Sequence, residues 1–309
     1  MFDLTFLGTA AGVPGPDRGL PALLVEHGRH RFLVDCGEGT QRQMMRCGLG
    51  LRRIDTVLLT HGHVDHLLGL GGLAATAALW RTTPRIRILA GREALDAART
   101  LLHGVIWPGG RPPIELAFVE LAPGIVFTDR DLTVTAFPVR HRAGDCFGFR
   151  FDEPVRRPML GERLEALGVP HGPERARLHA GESVTLPDGR HIRPDDVLGP
   201  PERGSSVSVV GDTESVDDLV EAVRGSDVLV IEATFRSADA EKARARSHLT
   251  VADATRLATQ AGVGALWLTH LSSRYQPATI EAEARELFPQ SRAARDFDRV
   301  RVPVDGLPP

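Results

Sequence analysis

Thr60-His61-Gly62-His63-Val64-Asp65-His66, arriving after the apolar run Ile54-Asp55-Thr56-Val57-Leu58-Leu59, is the stretch on which the reading of this chain turns. Three imidazoles and a carboxylate stand where a strand ends and a loop begins, and that mix of donors suits zinc. Side chains two apart in a helix face different ways, so His61 and His63 need an irregular loop to converge on one point. An ordinary polar loop gains nothing from crowding four such groups, which oppose one another's protonation. The motif reads as half of a two-metal site.

Working outward, further apolar runs each end in a residue that could bind metal. The run 132–139 leads to His141, the run 206–210 to Gly211-Asp212, and the run 264–269 to His270. Each reads as a β-strand, and a sheet whose strands finish along one edge brings such side chains together. Helical patterns lie between them at 67–80, 92–102, 216–223, 251–261 and 278–287. The runs 22–26 and 31–35 flank His27-Gly28 as a hairpin, so a layered α/β arrangement with mixed sheets is expected. From Asp152 to Arg203 the character changes to a charged segment punctuated by prolines. It reads as an insertion with a short helix at 161–167 and a hairpin turning at Asp188-Gly189.

Composition sets outer bounds. A chain of 309 residues with 42% hydrophobic content can bury a sizeable core. The formal charge of -3 excludes a globally basic coat, so any nucleic-acid contact must come from a local patch or an assembled oligomer. Lys242 is the single lysine, and arginine carries nearly all the positive charge. Cys36, Cys47 and Cys146 lack zinc-ribbon or redox spacing and fit a reducing compartment. The start shows no basic leader ahead of an apolar core, and no apolar run approaches the roughly twenty residues that span a bilayer. A soluble cytoplasmic protein without membrane contact is the expectation.

Taken together, these residues resemble the metallo-β-lactamase superfamily and, within it, ribonuclease Z, which trims the 3′ end of precursor tRNA. The superfamily likeness rests on the His61 to His66 motif. The narrower one rests on Phe6-Leu7-Gly8-Thr9-Ala10-Ala11-Gly12-Val13-Pro14, Asp35-Cys36-Gly37-Glu38-Gly39-Thr40-Gln41-Arg42-Gln43, Cys146-Phe147-Gly148-Phe149-Arg150, Gly211-Asp212-Thr213, Ser247-His248 and Leu268-Thr269-His270-Leu271-Ser272-Ser273-Arg274-Tyr275. The resemblance implies an αββα sandwich of two mixed sheets flanked by helices, a single metallo-β-lactamase-like domain over 1–309. The insertion at 152–203 would be a flexible arm that grips tRNA through Gly172, Pro173, Arg175 and Arg177. A homodimer is implied in the same way.

Carried over position by position, the resemblance implies that His61, His63 and His141 bind one zinc ion, Asp65, His66 and His270 the other, with Asp212 bridging. Manganese or iron are alternatives in such a cage. Two metals roughly 3.5 to 4 Å apart can hold one hydroxide and stabilise both oxygens of an in-line phosphoryl displacement. Asp65 would accept the attacking water's proton. His248, oriented by Glu232, would protonate the departing ribose oxygen. Two departures stand out: Ile231 replaces the histidine of the family's His-Glu-Ala-Thr element, implying a gap in the network behind the proton donor, and Asp17-Arg18-Gly19 replaces the usual Arg-Asn. A metallo-β-lactamase-fold esterase or small-molecule phosphodiesterase, and an inactive RNA-binding paralogue, are the alternative functions.

Overall fold

The computed structural model describes residues 1–142 and 144–302. Along the chain run β1 (Phe2–Gly8), β2 (Ala22–His27), β3 (His30–Val34), β4 (Thr56–Leu58), β5 (Arg85–Ala90), β6 (Glu115–Glu120), β7 (Gly124–Thr128), β8 (Thr133–Val139) and β9 (Cys146–Asp152). After them come β10 (Val184–Thr185), β11 (His191–Ile192), β12 (Ser206–Val209), β13 (Val228–Glu232), β14 (Ala265–Thr269), β15 (Ser291–Ala293) and β16 (Arg299–Val302). Among the described residues fourteen of these form two seven-stranded sheets, ordered β16-β1-β2-β3-β4-β5-β6 and β15-β14-β13-β12-β9-β8-β7, while β10 and β11 pair with each other. Both are mixed: β3 to β6 pair in parallel beside antiparallel β16 to β3, and β12 to β15 pair in parallel beside antiparallel β12 to β7.

Alternation along the strands builds the layers, because successive side chains leave opposite faces of a sheet. Leu23, Val25, Phe32 and Val34 join Phe149, Phe151, Val228 and Val230 in one core between the sheets. Their neighbours Leu24, Leu33, Val57 and Leu59 face the other way and pack with Leu70, Leu73, Leu95 and Leu102 of the outer helices. On the second sheet Leu229, Ile231, Leu266 and Leu268 likewise meet Val251, Leu257 and Ile280. The expected αββα sandwich is therefore what forms. Helix Val251–Ala261 is held at its start by a capping box, Thr250 Oγ1 accepting from the Asp253 amide while the Asp253 carboxylate accepts from the Thr250 amide, and stops at Gly262 with φ 62. No helix among the described residues is long and apolar enough to cross a membrane.

Two helical expectations change. The pattern at 67–80 becomes a short helix, Val64–Leu67, and a longer one, Gly69–Trp80, with the break at Leu68. Gly69 is required there, since a Cβ would lie 2.0 Å from the Gly37 carbonyl oxygen. At 216–223 only Val220–Val223 is helical, although Val216 and Leu219 are buried in the same core. Their apolar spacing reflects burial, which a turn satisfies as well as a helix.

The chain divides into a body, Met1–Asp152 with the chain from Ser205 onward, and a second compact unit, Glu153–Gly204. That unit has its own core of Leu164, Leu178, Val184, Leu186, Ile192, Val197 and Leu198. It carries helix Gly161–Ala166 and the β10-β11 pair, whose turn includes Gly189 at φ 88. Gly172 and Pro173 are exposed at the start of helix Pro173–His179, with Gly172 at φ 129. Arg177 pairs with Glu182 at 3.0 Å, whereas Arg175 donates from both Nε and Nη2 to the Val169 carbonyl. Arg175 thus has a structural task of its own in tying the helix to the loop before it.

Candidate metal centre and active-site cleft

The end of β4 releases the chain into the irregular segment His61-Gly62-His63, and one helical turn, Val64–Leu67, then presents Asp65 and His66. His141 follows β8, Asp212 lies just past β12, and His270 follows β14. All the residues expected as ligands meet at this strand-end edge. The donor atoms of His61, His63, His141 and Asp212 lie within 4.8 Å of one another, as do those of Asp65, His66 and His270. Asp212 divides its oxygens between the groups. Oδ2 is 3.7 Å from His61 Nε2 and 3.9 Å from His141 Nε2, while Oδ1 is 3.4 Å from His66 Nε2 and 3.3 Å from His270 Nε2.

The outer ring nitrogens explain why the inner ones converge. His61 Nδ1 is 3.0 Å from Thr60 Oγ1, His66 Nδ1 2.8 Å from Asp35 Oδ2, His141 Nδ1 3.0 Å from the Ser247 carbonyl, and His270 Nδ1 2.9 Å from Thr234 Oγ1. With Nδ1 engaged, Nε2 is the atom left for the centre, the arrangement that orients metal-binding histidines. Asp35 also accepts from the Thr60 amide at 2.8 Å and from the Thr60 hydroxyl. Gly211 allows Thr60 its place, for a Cβ there would stand 2.6 Å from Thr60 Oγ1. Asp35, Ser247 and His270 hold φ of 58, 57 and 52, a left-handed backbone costly for side chains with a Cβ.

Four buried polar atoms here have no hydrogen-bond partner: His61 Nε2, His66 Nε2, His141 Nε2 and Asp212 Oδ1. Unsatisfied buried groups are expensive, and these face one another across two imidazole and carboxylate groups. That donor set fits divalent metal. Burial pushes the pKa values of His61, His63 and His141 down, which keeps their lone pairs free. For Asp212, burial works toward protonation, but His270 and His66 overcome it and hold the carboxyl well below its usual range. Asp65 is held low in the same way by His270 and His66, and its Oδ2 accepts from the Gly12 amide at 3.0 Å.

Beside the centre lies a cleft of about 230 Å³ lined by His63, Asp65, Asp212, His248 and His270 and, on its walls, by Gly12, Phe235, Arg246, Ser272 and Arg274. His248 Nδ1 is 3.0 Å from Glu232 Oε1. Burial alone would lower the His248 pKa, but the Glu232 carboxylate raises it above its ordinary value. Glu232 is wholly buried and also accepts from the Thr213 amide at 2.8 Å, the Thr234 hydroxyl at 2.6 Å and the Leu249 amide at 3.2 Å. Ile231 leaves the opposite face of β13 and is buried against the outer helices, so its replacement of the family's histidine does not reach Glu232. The sequence assigns no role to Asp35, Thr60, Thr234, Arg246 or the Ser247 carbonyl. The Asp35 and Ser247 motifs were visible there, but hydroxyl and main-chain partners carry no ligand signature.

The fold and this centre define the metallo-β-lactamase superfamily: a Beta-lactamase superfamily domain model matches residues 30–194 and 158–271. Within it the chain belongs to the ribonuclease Z family. It is 50% identical over 302 residues to Ribonuclease Z of Bradyrhizobium sp. (strain ORS 278), covering 98% of this chain and 100% of that one. It is 36% identical over 303 residues to Ribonuclease BN of Escherichia coli O6:K15:H31, covering 96% and 98%. Human tRNase Z, short form, superposes with a TM-score of 0.69 at 26% identity over 98% of this chain and 100% of that one. The fold protein YhfI from Bacillus subtilis gives 0.70 at 17% identity, covering 97% and 98%.

Proposed function

We propose that this chain is a zinc-dependent endoribonuclease that removes the 3′ trailer from precursor tRNA. The observation that carries the reading is the split of Asp212 between two histidine-rich groups at the floor of an arginine-walled cleft, in a chain with a full-length ribonuclease Z relative. His61, His63 and His141 would hold one ion and Asp65, His66 and His270 the other, with Asp212 shared and manganese or iron as substitutes. Two such ions supply Lewis acidity to a phosphodiester and make water a better nucleophile near neutral pH.

The chain's own residues do the rest. Asp65, fixed by the Gly12 amide, accepts the proton of the attacking water at Oδ2. Glu232 binds His248 Nδ1 and favours its protonated form, so Nε2 is the atom that donates a proton to the departing ribose oxygen. Arg246 and Arg274 offset phosphate charge along the cleft walls and position the strand. The unit Glu153–Gly204 acts as the tRNA-gripping arm through Gly172, Pro173 and Arg177, with Arg175 keeping its shape. A cytoplasmic homodimer completes the proposal.

End-labelled precursor tRNA with a 3′ trailer tests it, using metal-loaded protein, Asp65→Ala and an unstructured RNA of equal length. A single cut near the end of the acceptor stem is expected, lost in the variant and absent from the unstructured RNA. No cut with metal bound would favour a small-molecule phosphodiesterase instead.

A further inference from the structure

The loop after β8 delivers His141 to the metal centre and, one residue later, Arg142 to the segment that carries His248. That segment is held at two successive points. Arg142 Nε donates to Ser247 Oγ at 2.7 Å, and Arg142 Nη2 donates to the Ala245 carbonyl. Ser247 itself ends helix Ala240–Arg246 in the left-handed conformation, φ 57, and its carbonyl receives the His141 Nδ1 proton. His248 follows at once, bound to Glu232.

A serine in left-handed backbone pays a conformational penalty and persists where its surroundings over-determine it. Here the Ser247 and His248 amides bond back to the Arg244 and Ala243 carbonyls, and one guanidinium and one imidazole from the loop after β8 hold the turn from outside. The planar fork of arginine presents two fixed donors to Ser247 and Ala245, which a lysine ammonium on a flexible stem cannot reproduce. Arg142 is not among the residues that line the cleft. Its influence on a reaction there has to pass through the turn it grips.

We propose that Arg142 is a positioning residue that holds the Ala245–Ser247 turn so that the His248 imidazole stands over the cleft in register with the metal centre. The role rests on the reading of His248 as proton donor. Because the His141 contact to Ser247 is made by the neighbouring side chain, Arg142 sets the acid's place relative to the metals without binding either metal or substrate.

A double-mutant cycle in the full-length, metal-loaded protein tests this, with Arg142→Ala, Arg142→Lys, His248→Ala and the two double variants. The readouts are single-turnover cleavage of precursor tRNA, KM, bound metal and melting temperature. Arg142→Ala is expected to lower the cleavage rate about 10- to 100-fold with metal content retained, the usual range for losing an outer partner of a site. Arg142→Lys is expected to recover part of the loss, and added guanidinium to rescue Arg142→Ala only where His248 is present. In the His248→Ala background the Arg142 change should cost less than about twofold, since the path it acts through is already cut. Losses that multiply in the double variant, or loss of metal from Arg142→Ala, would overturn the proposal. If Arg142→Ala does not fold, the lysine variant runs the same cycle. A wild-type protein that leaves precursor tRNA uncut defeats the ribonuclease reading and not the positioning role, and the cycle then uses a phosphodiester with an alkoxide leaving group.

Discussion

Glu232 is the residue on which most of the cleft's polar order depends. It is fully buried, and its two oxygens receive two amides, a hydroxyl and an imidazole. Through Thr234 it also reaches His270, whose Nδ1 lies 2.9 Å from that hydroxyl. A carboxylate so fully paired both fixes geometry and favours charge on His248. Two substitutions separate these contributions. Glu232→Ala leaves several buried donors unmatched and should cost about 3 kcal/mol or more of folding free energy in a denaturant titration. Glu232→Gln keeps the shape but turns an amide group toward donors, so it should lower single-turnover cleavage about 10- to 100-fold with a much smaller loss of stability. A glutamine variant that cleaves at the wild-type rate would remove Glu232 from the orientation of His248.

At the scale of elements, β13 shows how one strand serves two environments. Its alternation sends Val228 and Val230 to the core between the sheets, Leu229 and Ile231 to the core under the outer helices, and Glu232 to the cleft. Ile231 therefore answers to packing and not to proton transfer. Ile231→His would place an imidazole among Val251, Leu257 and other apolar side chains, a change expected to cost about 1 to 3 kcal/mol and to leave the cleavage rate no higher. A histidine variant that cuts faster at full metal occupancy would mean that this position does communicate with His248. The helix Val64–Leu67 makes the same point from the other side: a single turn suffices because its task is to swing Asp65 and His66 inward after the irregular His61-Gly62-His63 segment.

For the whole molecule, the two sheets supply the edge on which the centre is assembled, and the unit Glu153–Gly204 leaves and rejoins the body at one place. Asp152 and Ser206 are paired neighbours on β9 and β12, so a tight turn can replace the unit without stretching either strand. A protein with residues 154–203 exchanged for a two-residue hairpin turn is expected to keep its metal content and to cleave precursor tRNA with KM raised about tenfold or more, the loss of phosphate contacts weakening binding and flattening its salt dependence. Unchanged KM would exclude the unit from substrate binding. Much of this architecture was legible beforehand: strand alternation, the hairpin at His27-Gly28 and the histidines, Asp65 and Asp212 placed after apolar runs are local signals, because burial and period leave their mark within a few residues. Residue types and their period are enough to read off the donor types, their places at strand ends and the layered α/β fold. Packing of the sheets is what gives each histidine group one oxygen of Asp212, turns Ile231 into the core under the outer helices, and brings Arg142 to Ser247 across 105 positions of chain. Those outcomes depend on which faces pack together, and partners brought from distant segments carry no mutual mark along the chain.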